Sequence, residues 1–355
     1  MSIELTYGNH QRYRRRSRQI TVRGHVDPEA DDLTGASFRL NGGFERALYV
    51  EEIPDDGIDW VNGYKSSPAE LRCKERGEFC VEIAADDPDL VAGGNRIALS
   101  VAGQILDFTL EWDPRPLPLP LDLSDLSGFA HVCDLGQTIN GAFEIDHQAN
   151  VIHSCAPVAP DAFLVLGSQG TSQEATYAVH FSDLAGAKWL GLSDFFVGLE
   201  EGVPPRGIGV GWSSAGMAAL GPTGEARSFI AWGDHSASPD EWAVVCHPPA
   251  PVMIEAGVDY RVRHQLILHQ GLDRVRFRIW PAGTVEPETW LCDECDTAVP
   301  PDRPRHEAAS FGLFQHMGPS IAWSDIRLQA YQPGPDDIDP TGRAPFLGRQ
   351  RPGSF

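Results

Sequence analysis

Arg276–Trp290 reads RFRIWPAGTVEPETW, and the strand that opens it decides the fold class. From Arg274 to Trp280, Arg274, Arg276 and Arg278 alternate with Val275, Phe277 and Ile279. A repeat of two is the period of a β-strand with one buried and one polar face. The later run Ser310–Leu328, SFGLFQHMGPSIAWSDIRL, reads with it as the closing strands of a β-sandwich.

The same pattern extends upstream. Tyr177–Phe181, Asp194–Leu199, Ile208–Trp212, Ser228–Trp232, Asp259–Leu268 and Ser324–Tyr331 all read as strands, and no segment supports a long helix. Residues 123–331 are therefore expected to form one β-sandwich. Residues 19–114 hold a second series: Gln19–Val26, Ala36–Leu40, Ala47–Val50, Glu70–Lys74, Glu78–Ile83, Arg96–Val101 and Ile105–Trp112. Asn41-Gly42-Gly43, Arg76-Gly77 and Gly93-Gly94-Asn95 mark turns. Short strands at this spacing argue for an Ig-like sandwich. Between the two, Asp113–Asp122 reads DPRPLPLPLD, a proline-rich linker centred on 115–122 and held extended. Residues 332–355 have little apolar content and read as an extended or disordered tail. Residues 1–18 read as a basic arm through Arg12, Arg14, Arg15, Arg16 and Arg18, a place for an acidic protein partner.

Composition bounds the function. The net charge is −22. Such a chain repels a phosphate backbone and an anionic membrane surface, so neither nucleic acid nor membrane is an expected partner. No apolar run is long enough for a membrane helix, and MSIELTYGNHQRYRRRS lacks the apolar core of a signal peptide. A cytoplasmic protein is the expectation, with a secreted or surface-associated one left open. Seven cysteines leave at least one unpaired within the chain. Cys73 and Cys80 flank the Arg76-Gly77 turn, where a disulfide is allowed but not required. Cys292-Asp293-Glu294-Cys295 is a lone CxxC, short of the ligands zinc needs.

LNGG (Leu40–Gly43), RGEFCVEI (Arg76–Ile83) and LVAGGNRIALSVAG (Leu90–Gly103) resemble the corresponding runs of bacterial Ig-like modules. RIWPAGTVEPETW and SFGLFQHMGPSIAWSDIRL resemble the concanavalin A-like, laminin-G-like jelly-roll superfamily. The second run also resembles the end motif of the 3-keto-disaccharide hydrolase-like group, with Met317 interrupting its His-Gly-Pro turn. The resemblance implies a glycan ligand and no organic cofactor. It also implies a structural Ca²⁺ held by the aspartate of the last strand, here Asp325.

Sugars bind through aromatic planes and a few directed polar groups. Trp212, Trp232 and Trp242 lie at strand ends or in polar loops and are the expected ligand contacts. Trp280, Trp290 and Trp323 sit in the signature runs and read as core. Arg206, in PPRG, suits a carboxylate or sulfate, and Gln315 lies at a strand end as a further ligand group. Asp234 and His235, in AWGDHSASPDEW, are the candidate acid/base pair, with His316 a candidate general base. His264 and His269 have odd spacing on one strand and so point to opposite faces.

No P-loop, GxSxG, HExxH, dinucleotide fingerprint or ExDxxE run is present. Glycan recognition by the second sandwich is the leading expectation, with the first as spacer or interaction module. A glycoside hydrolase or polysaccharide lyase on the same sandwich, and a structural subunit of a larger assembly, are the alternatives.

Overall fold

A computed structural model describes residues 3–9, 11–15, 19–27, 33–52, 73, 75–155, 158–168, 170–183, 190–198, 206–212, 225–226, 228–234, 243–245, 252–269, 272–295 and 310–338. The chain is all-β. Its first strands are β1 (Ile3–Tyr7), β2 (Arg12–Arg15), β3 (Gln19–Val26), β4 (Ser37–Leu40), β5 (Arg46–Ala47), β6 (Tyr49–Val50), β7 (Glu78–Ala84), β8 (Gly93–Val101) and β9 (Gln104–Pro116). They form a four-stranded sheet, β1-β3-β7-β6, and a five-stranded sheet, β2-β9-β8-β4-β5. Alternate residues of both sheets meet in one core that includes Ile20, Val22, Phe79, Val81, Ile97, Leu99 and Trp112. The β8–β9 hairpin turns on Ala102 and Gly103, both at positive φ (49° and 75°), as a tight hairpin turn requires.

Two strands lie within the stretch read as a basic arm. β1 pairs antiparallel with β3, and β2 pairs parallel with β9. Tyr13 is buried, and its hydroxyl donates to the Thr21 carbonyl at 2.6 Å. Arg12 meets Glu111 at 2.8 Å and Arg14 meets Asp113 at 3.9 Å, so acidic groups of β9 take these guanidiniums. Gly24 lets β1 and β7 close on β3: a Cβ there would collide with the Glu4 carbonyl and lie 2.6 Å from Phe79. Gly24→Ala is expected to cost about 1–3 kcal/mol in chemical denaturation, as overpacking in a filled core does. Cys73 and Cys80 are both buried. Apart from Cys73, the strand expected over Glu70–Lys74 lies outside the described residues.

The remaining elements are β10 (Leu121–Leu123), helix α1 (Val132–Leu135), β11 (Gln137–Asn140), β12 (Phe143–Asp146), β13 (Val151–Ser154), β14 (Val158–Val165), β15 (Gln173–Phe181), β16 (Leu190–Gly198), β17 (Arg206–Trp212), β18 (Glu225–Ala226), β19 (Ser228–Asp234), β20 (Ala243–Val245), β21 (Val252–Met253), β22 (Asp259–His269), β23 (Leu272–Pro281), β24 (Cys292–Cys295), β25 (Ser310–Gly318), β26 (Ile321–Ala330) and helix α2 (Pro335–Ile338). An eight-stranded sheet runs β12-β13-β26-β15-β22-β23-β24, with β10 also paired to β26. A seven-stranded sheet runs β11-β14-β25-β16-β17-β19-β20. Tyr177, Phe181, Tyr260, Phe277, Phe311 and Trp323 fill the core of this part of the chain.

Buried amides join the two parts. Helix α1 leaves carbonyls at its C-terminal end that no later turn can satisfy. The Gln11 amide donates to the Cys133 and Gly136 carbonyls at 2.8 and 3.0 Å, and the Tyr7 hydroxyl donates to Gly136 at 2.9 Å. In return the Gln137 amide donates to the Gln19 carbonyl at 2.8 Å, and Arg23 donates to the Gly141 carbonyl at 2.5 Å.

The stretch read as a tail begins with structure as well. Residues 332–338 fold back on β23, and Asp337 is buried there. Residues 339–355 lie outside the described residues.

Candidate functional site

The outward positions of the eight-stranded sheet form a grid whose rows follow from strand register. One row is Trp280, Arg261, Ala178 and Ser324, taken across β23, β22, β15 and β26. The next is Arg278, Arg263, Thr176 and Arg327, and the third is Arg276, Gln265, Glu174 and Gln329. Each of these residues alternates along its strand with a core residue, as Arg278 and Trp280 do with the buried Ile279. The small residues Ala178, Ser324 and Thr176 make a low floor. Trp280 is half-buried at one side of it.

The charges on this face are ordered by one another. Arg263 reaches Glu286 and Glu174, each at 2.6 Å. Arg278 pairs with Glu286 and lies over the Trp290 ring, 4.2 Å from its centroid. The Arg263 guanidinium, aided by Arg278, holds the Glu286 carboxyl below the usual carboxylate range, so it stays an ion and is not a proton donor. The third row is closed over by the segment after β26. Asp337 accepts from Arg276 at 2.5 Å, from the Tyr331 hydroxyl at 2.7 Å and from the Gly334 amide at 2.8 Å. Arg274 clamps Asp293 through two bonds, at 2.6 and 2.7 Å. The first row remains the open end, with the exposed His180–Asp259 pair at 2.7 Å beside it.

Two expected site residues have other duties. Gln315 is fully buried: its amide donates to the Pro319 carbonyl at 2.6 Å, and its oxygen accepts from Ser154 Oγ at 2.6 Å. It locks β25 to β13 and cannot meet a ligand at the surface. Asp325 sits at φ 51° in a β-bulge, where the register shifts between β15 and β26. Its carboxylate faces Arg261 and Arg327, the latter at 2.5 Å. Calcium wants several oxygen ligands and no competing cation. Two guanidiniums already neutralise Asp325, so this environment does not fit a calcium site. Among the described residues no group of three or more His, Cys, Asp or Glu could hold a metal.

The other candidates lie on the seven-stranded sheet or beyond the described residues. Arg206 stands opposite Asp234, Ile208 opposite Trp232, and Trp212 opposite Ser228. Ile208 is in register with Phe195, and Phe195 with Phe311, whose side chain is fully buried. Trp232 therefore stands in a row of positions that ends on a core residue. His316 is opposite Asp161 in the β14–β25 register. His235 and Trp242 lie outside the described residues. Of the tryptophans read as core, Trp323 is fully buried, whereas Trp280 and Trp290 are half-exposed on the arginine face.

No family model matches this chain, and no curated protein matches it. Among the described residues, no helix is long and apolar enough to cross a membrane.

Proposed function

We propose that this chain is a carbohydrate-recognition protein of the concanavalin-like type, and that it binds glycan on the outer face of its eight-stranded sheet. The observation that carries this reading is Trp280, half-exposed in register with Arg261 beside the Ala178–Ser324 floor. An indole plane next to small residues accommodates a pyranose ring, and guanidiniums donate to its hydroxyl or carboxylate oxygens. The acids of this face are ion-pair partners, which supports binding over acid/base chemistry. The first sandwich acts as a spacer whose orientation is fixed by Gln11, Gln137 and Arg23.

Affinity gel electrophoresis over a panel of neutral and acidic polysaccharides tests the proposal. The protein is expected to be retarded by at least one polymer without shortening it. Trp280→Ala should weaken that retardation by about tenfold, the loss of roughly 1.4 kcal/mol of stacking. Free migration through every polymer would reject glycan binding. A shortened polymer would replace it with the hydrolase or lyase alternative.

A further inference from the structure

The outer face of the eight-stranded sheet continues past the Trp280 row. The next row towards its open end is Asp259, His180, Ala322, His153 and Glu144, taken across β22, β15, β26, β13 and β12. These positions alternate along their strands with core residues such as Tyr260, Val179, Trp323 and Ile152. On the other side of the Trp280 row, Asp122 of β10 extends the row of Arg278 and Arg327. The surface around Trp280 is therefore wider than the arginine rows, and the charges it adds are acidic.

Each arginine of these rows already has a carboxylate partner. Arg261 and Arg327 converge on Asp325, Arg263 and Arg278 converge on Glu286, and Arg327 also lies 3.5 Å from Asp122. His180 and His153 face Asp259 and Glu144 at 2.7 and 3.8 Å. Carboxylates outnumber guanidiniums here, and they are the more exposed of the two. The side chains of Asp259, Asp122 and Glu144 are 68%, 61% and 69% exposed, against 41% and 47% for Arg261 and Arg327. An acidic sugar brought to this face meets carboxylates that repel it and guanidiniums that would have to give up a partner. A neutral sugar has hydroxyls that donate to a carboxylate and accept from a guanidinium, so it uses both kinds of group without breaking a pair.

We propose that the ligand of the Trp280 face is a neutral glycan, selected against acidic ones by Asp259, Asp122 and Glu144, with Asp259 and Arg261 reading its hydroxyls. This rests on the reading of Trp280 as a glycan contact. It is tested with the full chain at neutral pH, by affinity electrophoresis in parallel gels of neutral polymers (β-glucan, mannan, dextran) and acidic ones (polygalacturonate, alginate, chondroitin sulfate). Retardation is expected in a neutral gel only. Asp259→Ala, an exposed substitution, should weaken that retardation by about tenfold, as the loss of a charge-assisted hydrogen bond does. Asp259→Arg combined with Asp122→Arg should admit an acidic polymer. Retardation of the unaltered protein in an acidic gel would overturn the proposal and leave glycan binding standing. Undiminished retardation of Asp259→Ala in a neutral gel would overturn the role given to Asp259. Free migration through every gel would reject glycan binding itself, and this inference with it.

Discussion

Between pH 7 and pH 4 this protein is expected to lose about 3 kcal/mol of stability through one side chain, His264. His264 lies on β22 and is fully buried, edge-on to the Phe277 and Phe311 rings with centroids 6.1 Å away in each case. Burial pushes its pKa down to about 3, from an ordinary value of 6.5. The unfolded chain therefore binds a proton between these values that the folded chain refuses. Stability from the neutral imidazole is complete above pH 6.5 and drains as the pH falls towards 3, with a slope approaching 1.4 kcal/mol per pH unit. Urea denaturation at pH 7, 6, 5 and 4 measures that slope. His264→Phe keeps an aromatic ring against Phe277 and Phe311 and removes the titration, so its profile should be flatter over this range. Equal slopes in the two proteins would show that His264 is not the source.

How far such features can be read from the chain depends on whether they leave a local pattern. Arg274–Trp280 alternates cleanly, and the strand is there. The hairpin after Val101 falls between the runs read as strands, Arg96–Val101 and Ile105–Trp112, whereas Gly93-Gly94-Asn95, read as a turn, belongs to β8. What periodicity cannot give is the covering of a face. The arginine positions of β23 read as a polar, half-buried strand, yet Arg274 and Arg276 are 6% and 8% exposed. Their cover includes residues 332–338, a Pro-, Gly- and Asp-rich stretch whose anchor is a carboxylate on a guanidinium far upstream. Such a contact has no period and little apolar content, so the segment resembles a tail. The domain junction escapes for the same reason, since Gln11 and Gln137 each act through a single buried amide.

The candidate site was only partly legible. Trp280 follows Arg274, Arg276 and Arg278 at intervals of two, so alternation alone sets it on the polar face. Its place in the signature run drew it into the core. Trp212 and Trp232 lie on β17 and β19 of the seven-stranded sheet, away from Trp280, and Trp242 lies outside the described residues. Gln315 and Asp325 are polar residues that the fold consumes, one in a core latch and the other in a bulge flanked by arginines.

The second large effect is expected from Asp337→Ala. Asp337 is the main counter-charge of Arg276, whose side chain is 10% exposed. Removing it leaves a nearly buried guanidinium whose remaining carboxylate contact is the longer 3.4 Å one to Asp293, an acid already engaged by Arg274. It also strips the Tyr331 hydroxyl and Gly334 amide of their acceptor. Breaking one side of a buried ion pair costs about 3–5 kcal/mol, because the remaining charge keeps its desolvation penalty and loses its compensation. Removing both charges restores part of the loss. Asp337→Ala with Arg276→Met should therefore be more stable than Asp337→Ala alone, and a double-mutant cycle in chemical denaturation reads the coupling. The contrast is Asp107→Ala, which breaks the Arg96–Asp107 pair at 68% and 44% exposure and should barely change stability. If Asp337→Ala were as mild as Asp107→Ala, residues 332–338 would be resting on the sheet rather than clamped to it, and Arg276 would have to reach water when that segment lifts.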